Sequence, residues 1–223
     1  MNMLDRLIGV VAPHECLGCG AEGGLICPGC VLLFPDLPER CYRCHQASGG
    51  SLTCSSCRQT SGLRHVRAAT DYEGIARDLI WKVKFAGARS AVDQMAQCMQ
   101  PLLAGLVTPD TLIVPAPTAT SRARQRGYDQ AKLLARQLAY RFGLPYVDCL
   151  ARHGQSHQVG ASREQRLCQL QQAYRVAKRR SVQNAHIFLI DDVLTTGATL
   201  EAAAHTLKMA GARYLDAAVF AQA

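Results

Sequence analysis

The run Ile187-Phe188-Leu189-Ile190-Asp191-Asp192-Val193-Leu194-Thr195-Thr196-Gly197-Ala198-Thr199 constrains the fold more than any other part of the chain. Its apolar start reads as a strand buried on both faces, the pattern of a parallel sheet, and such sheets bind ligands at the carboxyl ends of their strands. Asp191 and Asp192 fall at that end. Leu200-Glu201-Ala202-Ala203-Ala204 then reads as a helix, so the free amides of its first turn face the loop of Thr195, Thr196, Gly197, Ala198 and Thr199. Amides, hydroxyls and the helix dipole together favour an anion.

The order of residue types suits one chemistry. Carboxylates accept hydrogen bonds from sugar hydroxyls, while the loop donates to a phosphate a few ångströms away. Gly197 lets the backbone come close to that phosphate, where a Cβ would intrude. Three simpler explanations compete. An acid pair after a strand also serves receiver-type Mg2+ sites, but these do not call for a Thr-Thr-Gly-Ala-Thr turn. A Walker loop is excluded, because neither GxxxxGKS nor GxxxxGKT occurs in the chain. A helix cap needs one Asp or Thr, not a cluster. The residue types therefore specify an anion beside a polyol.

The first quarter of the chain carries a different signal. Cys16/Cys19, Cys27/Cys30, Cys41/Cys44 and Cys54/Cys57 form four CxxC pairs in series. Two such knuckles give four thiolates in a tetrahedral arrangement, which is what a closed structural zinc site needs, so two Zn2+ ions are expected. Sequential pairing is simplest, although spacing alone permits an interleaved one. A disulfide framework is disfavoured because no secretory signal is visible: the N-terminus carries Asp5 and only a short apolar stretch at 7–11. Three further cysteines, Cys98, Cys149 and Cys168, have no partner knuckle.

Metal binding also changes the charge argument. The formal net charge is +8, which suggests anionic ligands or nucleic acid. Two zinc sites of four thiolates contribute about −2 each, leaving roughly +4. Nucleic-acid binding is then a weaker inference. No apolar run approaches the length that spans a bilayer, so no membrane insertion and a cytoplasmic location are expected.

Composition changes near residues 60–63, dividing the chain into a cysteine-rich region, 1–62, and a larger domain, 63–223. In the larger part, strands are expected at 65–72, 111–114, 146–150, 187–191 and 214–220, and helices at 75–85, 88–106 and 130–142. Asp129 stands where it would cap the last of these helices. The alternation indicates an α/β fold with a doubly wound parallel sheet. After the strand at 111–114 come Pro115-Ala116-Pro117 and a basic stretch; if extended, Arg122, Arg124 and Arg126 would point to one side and suit a pyrophosphate or a nucleic-acid backbone.

The acid-pair segment closely resembles the 5-phosphoribosyl 1-pyrophosphate (PRPP) signature of type I phosphoribosyltransferases. That resemblance supplies the identity of the ligand: Asp191 and Asp192 would contact the ribose 2′ and 3′ hydroxyls, and residues Thr195, Thr196, Gly197, Ala198 and Thr199 would hold the 5′-phosphate. Nearly the whole chain resembles the ComF/GntX family of competence-associated phosphoribosyltransferase-like proteins. The likeness includes the four knuckles, Lys84-Phe85-Ala86-Gly87, Val114-Pro115-Ala116-Pro117, Arg126-Gly127-Tyr128-Asp129-Gln130 and Gln158-Val159-Gly160-Ala161-Ser162-Arg163.

The resemblance implies a type I phosphoribosyltransferase-like domain preceded by a double zinc ribbon. It also implies Mg2+ accompanying PRPP, and pyrophosphate contacts from Lys84, Pro115, Ala116, Arg122, Arg124 and Arg126, with Arg163 and Arg166 on a mobile loop. Two departures stand out: Asp129 replaces the usual Asn, and residues 168–174 lack the usual Asn and Gly.

Two classes of function follow. One is Mg2+-dependent transfer of phosphoribose from PRPP to an acceptor, in DNA uptake and utilisation or in nucleotide metabolism. The other is a non-catalytic PRPP or nucleotide sensor, or a single-stranded DNA adaptor among DNA-uptake proteins in natural transformation. A homo-oligomer is compatible with either.

Overall fold

The alternation of apolar strands with amphipathic helices builds a four-stranded parallel sheet in the computed structural model, which describes residues 14–85, 91–118, 126–152, 173–177 and 182–223. In chain order the elements are α1 (Pro28–Val31), α2 (Ser55–Arg58), β1 (Val66–Asp71), α3 (Gly74–Phe85), α4 (Ala91–Leu103), β2 (Leu112–Pro115), α5 (Gln130–Phe142), β3 (Leu150–Arg152), β4 (Tyr174–Val176), β5 (His186–Leu194), α6 (Ala198–Met209) and β6 (Tyr214–Gln222). The sheet order is β1-β6-β5-β2, with every neighbouring pair parallel.

β5 lies inside the sheet, which explains its unbroken apolar start. Phe188 and Ile190 face a core shared with α3, α4 and α5, whereas Ile187 and Leu189 face one shared with α6; all four are fully buried. Each such side chain contributes about 1.5–3 kcal/mol of burial. Asp129 caps α5 as expected, accepting from the amide of Lys132 at 3.2 Å, and Gly143 closes the helix with a left-handed backbone at φ 63°.

The strand expected at 146–150 is divided. Tyr146 forms one parallel bridge to Ile113 on the outer side of β2. The chain then leaves the sheet, held by an ion pair from Lys132 Nζ to Asp148 Oδ2 at 2.6 Å, and Leu150–Arg152 pairs antiparallel with Tyr174–Val176. Burial of Cys149, Leu150 and Tyr174 in the α6-side core favours this separate hairpin.

The order in which strands are added reverses between β2 and β5. From β2, α5 leads outward to the Tyr146 bridge, whereas from β5, α6 leads to β6 on the opposite side. β2 also stops early. Its last pairing is Pro115 with Ile190, followed by the bond from the Ala116 amide to the Ile190 carbonyl at 2.8 Å. β5 continues against β6 through Leu194, three residues past the expected end at 191. A crevice therefore opens beside Asp191, at a topological switch point.

The cysteine-rich segment packs on both faces of this body. Cys16, Leu25, Ile26 and Cys30 join the core of α3 and α4, and Gln94 on α4 bonds both Leu25 and Ile26. The second ribbon bridges the start of β1 through Leu52 and His65, and its Tyr42 enters the α6-side core.

The opposite end of the sheet holds a buried charge. Asp216, with no exposed surface, accepts from Arg64 at 2.6 Å, pairs with His65 Nδ1 at 2.8 Å and His186 Nε2 at 2.7 Å, and receives the His65 amide at 3.1 Å. Burial opposes its ionisation, but the bonds from His186, Arg64 and His65 outweigh it and hold the carboxyl well below the usual range.

Candidate functional site

The crevice at the switch point is a cavity of about 290 Å³ lined by Tyr72, Lys84, Ala116, Pro117, Thr118, Arg126, Gln130, Arg152, Asp191, Asp192, Val193, Thr195 and Thr199. Five separate elements thus converge on it. Asp191 and Asp192 come from the part of β5 that β2 leaves uncovered. Burial and the adjacent Asp192 charge push the Asp191 carboxyl well above the usual range; the Asp192 amide, donating to Asp191 Oδ1 at 2.9 Å, and the Lys84 charge oppose this. Lys84, at the end of α3, pairs with Asp192 Oδ2 at 2.7 Å. A second negative charge on the acid pair is therefore disfavoured, and donors from a diol or a hard cation would favour it.

The loop after β5 leads into α6 with Gly197 as N-cap, at φ 74°, and no side-chain cap bond. Gly197 itself thus contributes no capping side chain, which suits an anion seat. Thr195 and Thr199 line the cavity, while the Thr196 hydroxyl accepts the Ala198 amide at 3.4 Å, an internal loop contact. Glycine is required at 197 on two counts. The backbone is left-handed, and a Cβ would lie 3.0 Å from the Tyr42 ring.

Other expected site residues sort as follows. Ala116 lines the cavity; Pro115 ends β2 just behind it. Arg126 also lines the cavity, with its guanidinium 5.0 Å from the Phe85 ring centre and a bond to Gln130 Oε1 at 3.1 Å. It lies in a helical turn, so the alternation of an extended chain does not apply there. Arg122, Arg124, Arg163 and Arg166 lie outside the described residues. Asp129, the charged replacement for Asn, is committed to structure: one carboxylate oxygen takes the Lys132 amide and the other the Thr118 amide, both at 3.2 Å.

Sequence reasoning missed Tyr72, Thr118, Gln130 and Arg152. Tyr72 follows the carboxyl end of β1, and the rule that located the acids would have located it too. Arg152 sits on the β3–β4 hairpin, stacked 5.7 Å over the Tyr174 ring, and no local pattern foretold that hairpin.

The eight knuckle cysteines gather in the sequential pairing, Cys16/Cys19/Cys27/Cys30 and Cys41/Cys44/Cys54/Cys57, with the sulfurs of each group within 4.8 Å of one another. Cys19 and Cys27 are 3.6 Å apart, as are Cys44 and Cys54. A tetrahedron with Zn–S bonds of about 2.3 Å has edges of about 3.8 Å, so both groups fit structural zinc. Burial works against ionisation of Cys16, yet amides of Cys19, Cys27 and Gly18 outweigh it and bring the thiol down to about 6. In the second group a bond from Ser56 brings Cys54 down to about 6 as well. Both groups thus hold a thiol that readily becomes a thiolate ligand.

A doubly wound sheet with an acid pair and a helix start at its switch point defines a phosphoribosyltransferase-like protein, and residues 128–223 match the family described as phosphoribosyl transferase domain. The chain is 28% identical over 176 residues to Competence protein ComFC of Bacillus subtilis (strain 168), covering 75% of this chain and 70% of the relative. It is 28% identical over 199 residues to DNA utilization protein YhgH of Salmonella typhi, covering 84% and 86%. It is 31% identical over 102 residues to Competence protein F of Haemophilus influenzae, covering 44% of each. Over most of its length the chain is thus similar to proteins named for competence and DNA utilization. Among solved structures, it is similar to the glutamine PRPP amidotransferase from B. subtilis complexed with ADP and GMP, with a TM-score of 0.42 and 18% identity over 59% of this chain. It spans about a quarter of that enzyme's length, 26%.

Proposed function

We propose that this protein binds PRPP in the switch-point crevice and transfers its phosphoribosyl group, in the service of DNA uptake or utilisation. One observation carries the reading: Asp191 and Asp192 share a cavity with Thr195, Thr199, Lys84 and Arg126. The two carboxylates orient the ribose hydroxyls, and the start of α6 with Thr195, Thr196, Gly197, Ala198 and Thr199 takes the 5′-phosphate. Lys84, Ala116 and Arg126 lie beside the place left for pyrophosphate, with Pro115, Arg122 and Arg124 adjoining in sequence. Arg163 and Arg166 are further candidate contacts on the strength of the family resemblance alone. Mg2+ would supply charge neutralisation for the pyrophosphate. As the bond from C1′ to pyrophosphate breaks and the acceptor's nucleophile bonds to C1′, the neighbouring acids stabilise the positive charge that develops there.

Residues 1–62 form the double zinc-ribbon region and 63–223 the phosphoribosyltransferase-like domain in this reading. Among the described residues no helix is long and apolar enough to cross a membrane, and a cytoplasmic site of action is part of the proposal. The names of the relatives, competence protein and DNA utilization protein, support the link to DNA. The test is incubation with PRPP, Mg2+ and a panel of nucleobases and nucleic-acid acceptors, following pyrophosphate release. Calorimetric binding without release across the panel rejects transfer and leaves a sensor; absence of heat rejects the site itself.

A second reading, a single-stranded DNA adaptor, is favoured by one feature. Trp81 and Phe85 on α3 are 56% and 63% exposed with ring centres 5.8 Å apart, and Arg126 stacks on Phe85. Exposed rings beside cations serve as platforms for unpaired bases. Under this reading, replacing Arg122, Arg124 and Arg126 by Ala lowers the salt slope of DNA binding by about 0.7 per lost phosphate contact. An unchanged slope removes these arginines from DNA contact.

A further inference from the structure

The second cysteine cluster touches the phosphate loop directly. Tyr42 and Arg43 are the two residues between Cys41 and Cys44, and both reach Glu201 in the first turn of α6. The Tyr42 hydroxyl donates to Glu201 Oε1 and lies 2.8 Å from Ser61 Oγ; Arg43 Nε lies 3.5 Å from the same Glu201 oxygen. The Tyr42 ring also packs under Gly197, with Cε2 where a Cβ would come within 3.0 Å. Arg43 is anchored in its own cluster by bonds to the Cys57 carbonyl at 3.3 Å and the Thr60 hydroxyl at 2.6 Å. The first cluster packs elsewhere: Cys16 and Cys30 lie in the core of α3 and α4.

Glu201 poses a problem that these contacts solve. A carboxylate in the first turn of a helix is attracted to the same amides and dipole that a phosphate would use. Left free, it would compete with the phosphate and repel it. Held sideways by Tyr42 and Arg43, its charge is directed into the knuckle.

We propose that Tyr42 and Arg43 are positioning residues for the 5′-phosphate loop, so that metal binding at Cys41, Cys44, Cys54 and Cys57 raises affinity for PRPP. The inference rests on the PRPP reading above. Linkage makes the coupling reciprocal: PRPP must raise zinc affinity at the second cluster by the factor by which zinc raises PRPP affinity.

The test uses the full-length, zinc-loaded chain. In calorimetry with PRPP and Mg2+, Tyr42→Phe, which keeps the ring under Gly197, is expected to weaken binding on the order of fivefold to tenfold, and Arg43→Ala similarly. Glu201→Gln in the Tyr42→Phe background should restore affinity, because it removes the competing charge; a purely structural role of Tyr42 would not give that rescue. In competition with a zinc-selective chromophoric chelator, PRPP and Mg2+ should tighten one of the two zinc equivalents in the wild type and neither in Tyr42→Phe/Arg43→Ala. Wild-type binding with unchanged affinity in the variants, or equal tightening of both zinc equivalents, overturns the coupling alone. Wild-type chain that gives no heat with PRPP overturns the functional reading and this inference with it.

Discussion

Single residues in this protein answer to electrostatics more than to packing. Asp191 and Asp192 sit together where burial disfavours a second charge, and Lys84 offsets only part of it. Asp192→Asn should release Lys84, and, if the acids hold the ribose diol, Asp191→Asn should weaken PRPP binding by at least about tenfold through loss of charged acceptors; calorimetry with PRPP and Mg2+ measures it. Asp216 makes the opposite case. Its folded carboxyl is held below the value near 3.9 of an unfolded chain, so its contribution to stability is complete above that value and disappears as pH falls below it. Asp216→Asn, which leaves Arg64 without its anion in a buried cluster, should cost about 3–5 kcal/mol in urea unfolding and should flatten the acid limb of stability against pH.

At the scale of elements, the β5–loop–α6 unit was the most legible part of the chain, because strand burial, the acid pair and the helix start are all local patterns. β5 runs past its expected end only because β6 continues to pair with it, which no local pattern encodes. Gly197→Ala places a side chain against Tyr42 in a left-handed backbone, and should cost roughly 1–2 kcal/mol from conformation alone. Chemical denaturation reads that cost, and PRPP affinity should fall with it. α5 gives a milder test. Asp129→Ala removes the cap and frees the Thr118 amide, a loss of about 1 kcal/mol seen as a lower melting temperature. Asp129→Asn keeps an acceptor and should leave stability nearly unchanged, consistent with Asn being usual in the family that this chain resembles.

Across the whole molecule, the two cysteine clusters take part in the cores of the sheet instead of standing apart. Cys16 and Cys30 are buried with α3 and α4, and Phe34 meets Phe220 of β6 edge to face at 6.1 Å. Stripping the metal should therefore destabilise the α/β body as well as the ribbons. A chelator is expected to lower the melting temperature of the near-ultraviolet signal of Trp81 on α3, far from any cysteine in sequence; an unchanged transition would mean that the ribbons unfold independently. The separation by composition at 62 and 63 is real as sequence, but contacts cross it on both faces of the sheet.

By itself, the sequence determined which chemistries this chain can perform: acid pair, hydroxyl loop, helix start and cysteine knuckles are contiguous, and their meaning depends on spacings of a few residues. Tertiary structure alone decided which distant groups join them. The continuation of β5 along β6, the β3–β4 hairpin that brings Arg152, and the contact of Tyr42 with Glu201 across 159 positions all depend on which surfaces bury one another. Such long-range burial is a cooperative outcome of the whole chain, and no short stretch of residues records it.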